Sequence, residues 1–375
     1  MSRDLIVFGE DWGGLPSSTQ HVVRRLAHDR RVLWINSIGL RQPRPRRDDL
    51  RRLISKLGQS RANPAATAAI PMGPGFSVIN PLTIPAPRST ATRMLSSALL
   101  QAQVKRAAAH ARLERPLLWI SLPTAVDLVG RLGESGVVYY CGDDFSALAG
   151  VDHATVVARE IELVQRADLV LAASEELKQR FPDKKTRTLP HGVDFELFAE
   201  PAPRAPDLPN DGRPIAGFYG SIAEWFDTAL LTRVARRLPH WHFVLIGNAS
   251  IDLEILRLVP NVHLLGPRSH RELPCYSQHW TASILPFRDT PQIRACNPLK
   301  LREYLAAGRP VVSTPYPAAF AYSNVVDITD DTAYFCDRLE QARRFAGQQH
   351  DLQQRVRHET WDARASQVST WLDAL

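Results

Sequence analysis

RACNPLKLREYLAAGRPVVSTPYP, residues 294–317, combines a helix start, a helix stop and a buried strand within two dozen residues. Asn297 is a favourable N-cap, and Pro298 fits a first helical turn, where a missing N–H costs nothing. Leu301 and Leu305 form an i,i+4 apolar stripe, Gly308 supplies the C′ stop, and Pro310 blocks continuation into the β-branched pair Val311-Val312. The apolar run Ala282 to Phe287 adds a preceding strand, so the segment predicts a βαβ unit of a parallel sheet. In such sheets ligands lie off the carboxyl ends of the strands and face helix N-termini. The free amides and positive dipole end of this helix are expected to meet an anion, with Lys300 adding a full charge. Lysine is scarce among the 46 Lys and Arg residues, so an ammonium at this point stands out. Glu303 shares the helix face and can accept two hydrogen bonds from a vicinal diol such as ribose. The plainer alternative is an exposed i,i+3 ion pair between the two, worth a few tenths of a kcal/mol.

The residues NPLKLREYLAAGRPVVST resemble the nucleotide-binding signature of GT-B glycosyltransferases, above all the family-4-like group acting on bacterial polysaccharides, of the teichuronic-acid type. The resemblance implies that Glu303 is the carboxylate that holds the ribose of a nucleotide-sugar. The usual motif carries a second Glu eight residues earlier, where this chain has Ala295. That departure touches the holding of the donor sugar and a retaining outcome.

The 375 residues exceed a comfortable single core and suggest two domains. A hydrophobic fraction of 44% and a charged fraction of 23% are those of an ordinary globular chain. Met1 to Asp4 lead into a short apolar run, Leu5 to Phe8, halted by Glu10 and Asp11, which does not read as a signal peptide. The long uncharged stretch Ala62 to Pro87 is broken by prolines and is no spanning helix. Cys141, Cys275, Cys296 and Cys336 lack CxxC spacing, so neither a zinc site nor a disulfide framework is expected, and a cytoplasmic setting follows. The net charge of +7 clusters partly in Arg41 to Arg52. This cluster is either a solvated loop or a patch for an anionic membrane surface. Nucleic acid is a poorer partner, because no aromatic-interleaved basic stripe accompanies the charge.

In the first half, strands are expected at Leu5 to Phe8, Val32 to Ile35, Leu117 to Ile120, Gly136 to Cys141 and Leu169 to Ala172. Helices are expected from Ser17 or Ser18 to His28, Thr90 to Leu113, Val156 to Ala167 and Ser174 to Phe181, with shorter ones after Pro123 and near Asp48 to Leu57. In GT-B enzymes the loop after the first strand faces the acceptor, so the resemblance implies Asp11 and Pro16 to Gln20 as acceptor-side candidates; a turn with an N-cap is the alternative. Where many family-4 enzymes have an active-site His, this chain reads WISLP, without one. The following strand ends in VVYYCGDDFSA and would deliver Asp143-Asp144 to the sheet's carboxyl edge. Inverting sugar transfer needs one carboxylate to take the acceptor's proton, and residue physics leaves open which of the two it is, or whether both form a turn.

The segments YYCGDDFSAL, LPHGVDFEL, GFYGSIAEWFD, FVLIG and PLKL are similar, in the same order, to inverting GT-B glucuronosyltransferases of xanthan assembly. That resemblance implies Asp143 as the base and leaves Asp144 as an acceptor-side candidate. His191 is either a neutral turn residue or a cleft-facing group reaching phosphate or sugar, and the shared His in that resemblance favours the second; Gly192 is expected at positive φ in the crossing turn. Ala199 to Pro214 is rich in Pro, Asp and Arg and reads as a linker. The second half repeats the α/β pattern, with strands at Ile215 to Tyr219, His242 to Ile246, Val262 to Leu265, Ala282 to Phe287 and Pro310 to Ser313. Gly220-Ser221 ends the first of these, where backbone amides can approach a diphosphate, and Asp227 is expected to cap the next helix.

The expected architecture is α/β GT-B: two Rossmann-like domains with a cleft between them and a C-terminal helix returning to the first. The expected divisions are an acceptor domain over 1–198, a linker over 199–214, a nucleotide-sugar domain over 215–350 and a bracing helix over 351–375. The expected nucleotide-sugar site comprises Gly220, Ser221, Asn297, Pro298, Lys300, Glu303 and His191. No cofactor or metal is expected, and the expected partners are a nucleotide diphosphate-sugar and a lipid-linked or saccharide acceptor. The alternatives are a retaining transferase in which Asp143 only positions the acceptor, and a non-catalytic nucleotide-sugar-binding subunit. A phosphorylase fits less well, because Lys300 is the second half's one lysine for a pyridoxal Schiff base.

Overall fold

The structure, a computed structural model, describes residues 2–14, 17–37, 75–83, 90–146, 153–344 and 349–375. The basic segment Arg41 to Arg52, the helix expected near Asp48 to Leu57, Pro16 and most of the 62–87 stretch lie outside the described residues. The chain divides into two compact units, residues 1–190 with 364–375, and residues 191–363.

In the first unit, short apolar runs bounded by polar turns form β1 (Leu5–Phe8), β2 (Val32–Ile35), β3 (Phe76–Ile79), β4 (Leu117–Ile120), β5 (Gly136–Cys141), β6 (Leu169–Ala172) and β7 (Thr186–Thr188). They make one parallel sheet in the order β3-β2-β1-β4-β5-β6-β7. Every residue of β1, β2, β4 and β6 is buried, as in strands covered on both faces. The helix Ser18–Leu26 starts where expected, with the Ser17 side chain accepting from the Gln20 amide. Residues 364–375 belong to this unit. Buried Arg30 donates to Asp373 Oδ1 at 2.6 Å and to Ser369 Oγ at 2.9 Å, and Arg3 donates to the Leu372 carbonyl at 2.7 Å.

The second unit holds β8 (Ile215–Tyr219), β9 (His242–Ile246), β10 (Val262–Gly266), β11 (Ala282–Leu285), β12 (Val311–Ser313) and β13 (Val326–Ile328). These form a parallel sheet in the order β10-β9-β8-β11-β12-β13. Trp241, Trp280, Phe218, Phe226, Phe243 and Tyr304 are fully buried and supply much of its core. Asp227 caps the helix Thr228–Arg237 by accepting from the Leu230 amide, as expected.

Four expectations need correction. The boundary falls after Pro190 rather than at 198. The expected linker is irregular but packed on the second unit: Asp207 accepts from Arg268 and Tyr276, the Ala205 amide donates to the Cys275 carbonyl at 2.9 Å, and the Ala202 amide donates to Gln278. Prolines removed its regular structure, but the remaining polar groups still had to find partners. The C-terminal stretch is two helices, Gln349–Val356 and Trp361–Asp373, because the residues between them bridge to the chain at Val193. Gly192 does not have positive φ. It is required by close approach instead: a Cβ there would lie 2.6 Å from the Trp361 backbone nitrogen.

Candidate active site

In the second unit the strand order reverses at β8, which has β9 on one side and β11 on the other. Such a switch point opens a crevice at the strands' carboxyl ends. Gly220 leaves β8 with φ +134°, and a Cβ there would lie 2.0 Å from Lys300 Cε. Gly247, leaving β9 with φ +146°, approaches so closely that its Cβ would lie 1.9 Å from the Gly220 carbonyl oxygen. Two glycines therefore make a bare backbone floor at the switch point, and the Lys300 side chain lies across it. The Lys300 ammonium sits 6.0 Å from the Phe218 ring centroid and makes no ion pair among the described residues. Ser221 is exposed beside this floor.

The helix Leu299–Ala306 begins at Pro298, ψ 120°, with no side-chain cap. Its first amides consequently lack intrahelical acceptors. Asn297 is therefore not the N-cap. Its Oδ1 accepts from Arg302 Nη1 at 2.6 Å, a charge-assisted bond that outcompetes capping. Arg302 is buried and also donates to Glu359 Oε2 at 2.7 Å. Glu359 in turn accepts from Tyr322 Oη at 2.6 Å and Arg355 Nη1 at 2.8 Å. The helix stops at Gly308, φ +70°, as expected.

Glu303 is not the exposed partner of Lys300. It is buried, and its Oε1 accepts from His270 Nε2 at 2.9 Å. Burial pushes the His270 pKa down, but the hydrogen bond and charge of Glu303 outweigh it, and the net shift is upward. The His270 ring meets Phe198 edge-on at 5.4 Å. Burial, and then the Glu303 charge, hold the Tyr219 hydroxyl well above its ordinary pKa. The Tyr219 amide donates to Tyr304 Oη at 3.0 Å, tying β8 to the helix. His191 lies beside Trp361, with ring centroids 6.3 Å apart.

In the first unit the order reverses between β1 and β4. Asp11, after β1, accepts from the Ser37 amide at 3.1 Å, and its carbonyl accepts from the Gly14 amide, so it organises the loop. Glu10 was not singled out in the sequence. Burial raises its pKa, and Gln20 Nε2 donates to it at 3.3 Å. Asp143 is exposed just past β5. Asp144 is a turn former: its Oδ1 accepts from the Ser146 amide at 2.9 Å, from Ser146 Oγ at 2.5 Å and from Arg180. Burial opposes ionisation of Asp144, but Ser146 and Arg180 together hold its carboxyl below the usual range. Among the described residues no cluster of three or more His, Cys, Asp or Glu is placed to hold a metal ion. Among the described residues no disulfide is formed.

Residues 213–347, most of the second unit, match the family model of glycosyl transferases group 1. The fold is GT-B. Its likeness extends to Anabaena HepE solved with UDP and glucose, at TM-score 0.69 and 14% identity over 100% of both chains. It extends equally to sucrose-phosphate synthase from Thermosynechococcus elongatus, at TM-score 0.68 and 15% identity over 99% of each chain. Identities this low speak for the GT-B fold alone. A putative teichuronic acid biosynthesis glycosyltransferase, TuaH of Bacillus subtilis (strain 168), is 30% identical over 230 residues. That match covers 56% of this chain and 58% of TuaH, less than two thirds of its length.

Proposed function

We propose that this GT-B protein transfers a sugar, with inversion, from a nucleotide diphosphate-sugar to a lipid-linked or saccharide acceptor in cell-surface or exopolysaccharide biosynthesis. The observation that carries the reading is Lys300 lying across the bare Gly220 backbone at the switch point, next to an uncapped helix N-terminus. A lysine charge, free amides and a side-chain-free floor are what a diphosphate needs. In the proposed reaction the Asp143 carboxylate takes the acceptor hydroxyl's proton as its oxygen bonds to the anomeric carbon. The bond from that carbon to the diphosphate oxygen breaks, and the departing charge is neutralised by Lys300 and the amides of residues 299–301. Asp144, whose carboxyl Ser146 and Arg180 hold below the usual range, is a weak proton acceptor. Ala295 and the His-free WISLP end of β4 favour a second reading, a non-catalytic nucleotide-sugar-binding subunit. Slow donor hydrolysis without acceptor would separate the two, because a binding subunit releases no sugar.

The burial of Glu303 decides how its ribose role is tested. Truncation to Ala would strand His270, whereas Glu303→Gln keeps the shape and removes the charge. Nucleoside diphosphate affinity is expected to weaken by about 1.5 to 3 kcal/mol, the range for a charged hydrogen-bond partner. Calorimetric titration checks this, and unchanged affinity for uridine and guanosine diphosphates alike would remove Glu303 from the ribose site.

Among the described residues no helix is long and apolar enough to cross a membrane. Peripheral attachment is supported by a different surface. The helix Thr90–His110 exposes Met94, Leu95 and Leu99 at 65%, 63% and 42%, with Lys105 and Arg106 exposed further along. Exposed apolar side chains followed along the same helix by basic ones suit an anionic lipid surface. Met94→Asp with Leu95→Asp, or neutral replacement of the Arg41 to Arg52 arginines, is expected to release the protein from phosphatidylglycerol vesicles. Raised salt should act on the arginine contribution, since screening sets in over about 10 Å at 0.1 M. Equal co-sedimentation of wild type and both variants would end the membrane reading.

A further inference from the structure

Behind the turn that carries Asp143 lies a group of ionisable side chains, buried at Glu160, Tyr139 and Cys141 and exposed at Arg180, to which the reaction above gives no task. Glu160, 3% exposed on the helix His153–Arg166, accepts from Tyr139 Oη at 2.5 Å and has Cys141 Sγ 3.7 Å away. The Cys141 thiol also lies 3.3 Å from the carbonyl oxygen of Asp143. Arg180, beyond β6, places Nη2 at 3.4 Å from Glu160 Oε2 and donates through Nη1 to Asp144 Oδ1. The same Asp144 oxygen closes the turn onto Ser146. Asp143 is therefore flanked by two anchored residues: Cys141 is tied to Glu160 from the strand side and Asp144 to Arg180 from the turn side. Three stretches distant in sequence, β5, the 153–166 helix and the segment after β6, converge on one short turn.

Stability does not account for this arrangement. Arg180 is exposed, and ion pairs of exposed side chains are typically worth about 0 to 1 kcal/mol, so its pairing with Asp144 is weak evidence for a stabilising role. What the group fixes is direction, by restraining the backbone on both sides of one exposed carboxylate. We propose that Arg180, bridging Glu160 and Asp144, is a positioning residue that aims the Asp143 carboxylate at the acceptor hydroxyl. This rests on Asp143 being the base. General-base transfer demands a heavy-atom approach within hydrogen-bond reach, and a misplacement of about 1 Å can cost on the order of 100-fold.

A double-mutant cycle in the transfer assay tests the inference, using Asp143→Asn, Arg180→Met, Arg180→Lys and the double variant Asp143→Asn/Arg180→Met. Arg180→Met is expected to lower kcat roughly 10- to 100-fold, with the donor KM and nucleoside diphosphate affinity unchanged. Arg180→Lys should recover part of the rate, because an ammonium can still reach Asp144. The double variant should be no slower than Asp143→Asn, since a residue acting through the base has nothing left to position. A wild-type rate for Arg180→Met, or losses that multiply in the double variant, would overturn the proposal. If Arg180→Met does not fold by circular dichroism, Asp144→Ala, which removes the oxygen that accepts from Arg180 and Ser146, takes its place in the cycle with the same non-additivity expected. An inactive Asp143→Asn beside a fully active Arg180→Met defeats the positioning role alone. A fully active Asp143→Asn defeats the base and the positioning role together.

Discussion

Asp143→Asn is expected to lower the rate of sugar transfer by about 10² to 10⁴-fold, the span for loss of a general base, and to leave donor affinity untouched. The amide is nearly isosteric, so the turn anchored by Cys141 and Asp144 persists while the proton acceptor is gone. The groups proposed to hold the donor, Lys300, Gly220 and Glu303, belong to the other unit, which is why nucleotide binding should not follow the change. Asp144→Asn should cost far less, because its amide oxygen still accepts from the Ser146 amide. Transfer rate and calorimetric nucleotide affinity, measured for both variants, decide the matter. Near wild-type transfer by Asp143→Asn, or loss of activity in Asp144→Asn instead, would show the base misassigned.

The central parallel strands were legible because most are short, predominantly apolar runs ended by a polar or glycine turn. β1, β2, β4, β5, β6, β8 and β9 stand where the sequence places them, residue for residue. β3, β7 and β13 escaped notice because edge strands are short and half exposed, and a segment such as Thr186-Arg187-Thr188 has no apolar pattern to read. Local chemistry was reliable where the partner is close in sequence, as for the Ser17 and Asp227 caps and the Gly308 stop. It failed where a distant charge intervened. Asn297 was expected to cap because its neighbours in sequence call for a cap, but Arg302 claims its oxygen and Glu359, far along the chain, holds Arg302 in place.

The site shows the same division. The approach of Lys300 to Gly220 was implied by their places at one helix start and one strand end, both predictable from pattern. The burial of Glu303 was not, because its partner His270 lies on a short 3-10 turn after β10 that carries no periodic signal. Arg180 and Glu160 were invisible for a related reason: their contacts with the Asp143 turn join three elements, and no spacing within one of them encodes the others.

Glu359→Ala is expected to destabilise the second unit by about 3 to 5 kcal/mol, the cost of breaking a buried ion pair by removing one partner. Arg302, 4% exposed, would keep Asn297 but lose its carboxylate, and the Tyr322 hydroxyl would lose its acceptor. The unfolding midpoint should fall by roughly 2 to 4 °C per kcal/mol for a unit of this size. Burial alone would raise the Glu359 pKa, but Arg302, Tyr322 and Arg355 together hold it below its ordinary 4.5. A carboxylate depressed in the folded state contributes its stability in full above the unfolded-state pKa and loses it as pH falls through the folded-state value. The gap between wild type and Glu359→Ala should therefore be constant at neutral pH and narrow below 4.5. Nucleotide affinity should fall as well, because Arg302 holds Asn297 immediately ahead of the amides assigned to the diphosphate. Thermal unfolding of both proteins across that pH range, with calorimetric titration at neutral pH, tests all three consequences. A Glu359→Ala protein as stable as wild type would mean that Asn297 and the Tyr322 ring suffice to hold Arg302, and that the helix start does not depend on the C-terminal segment.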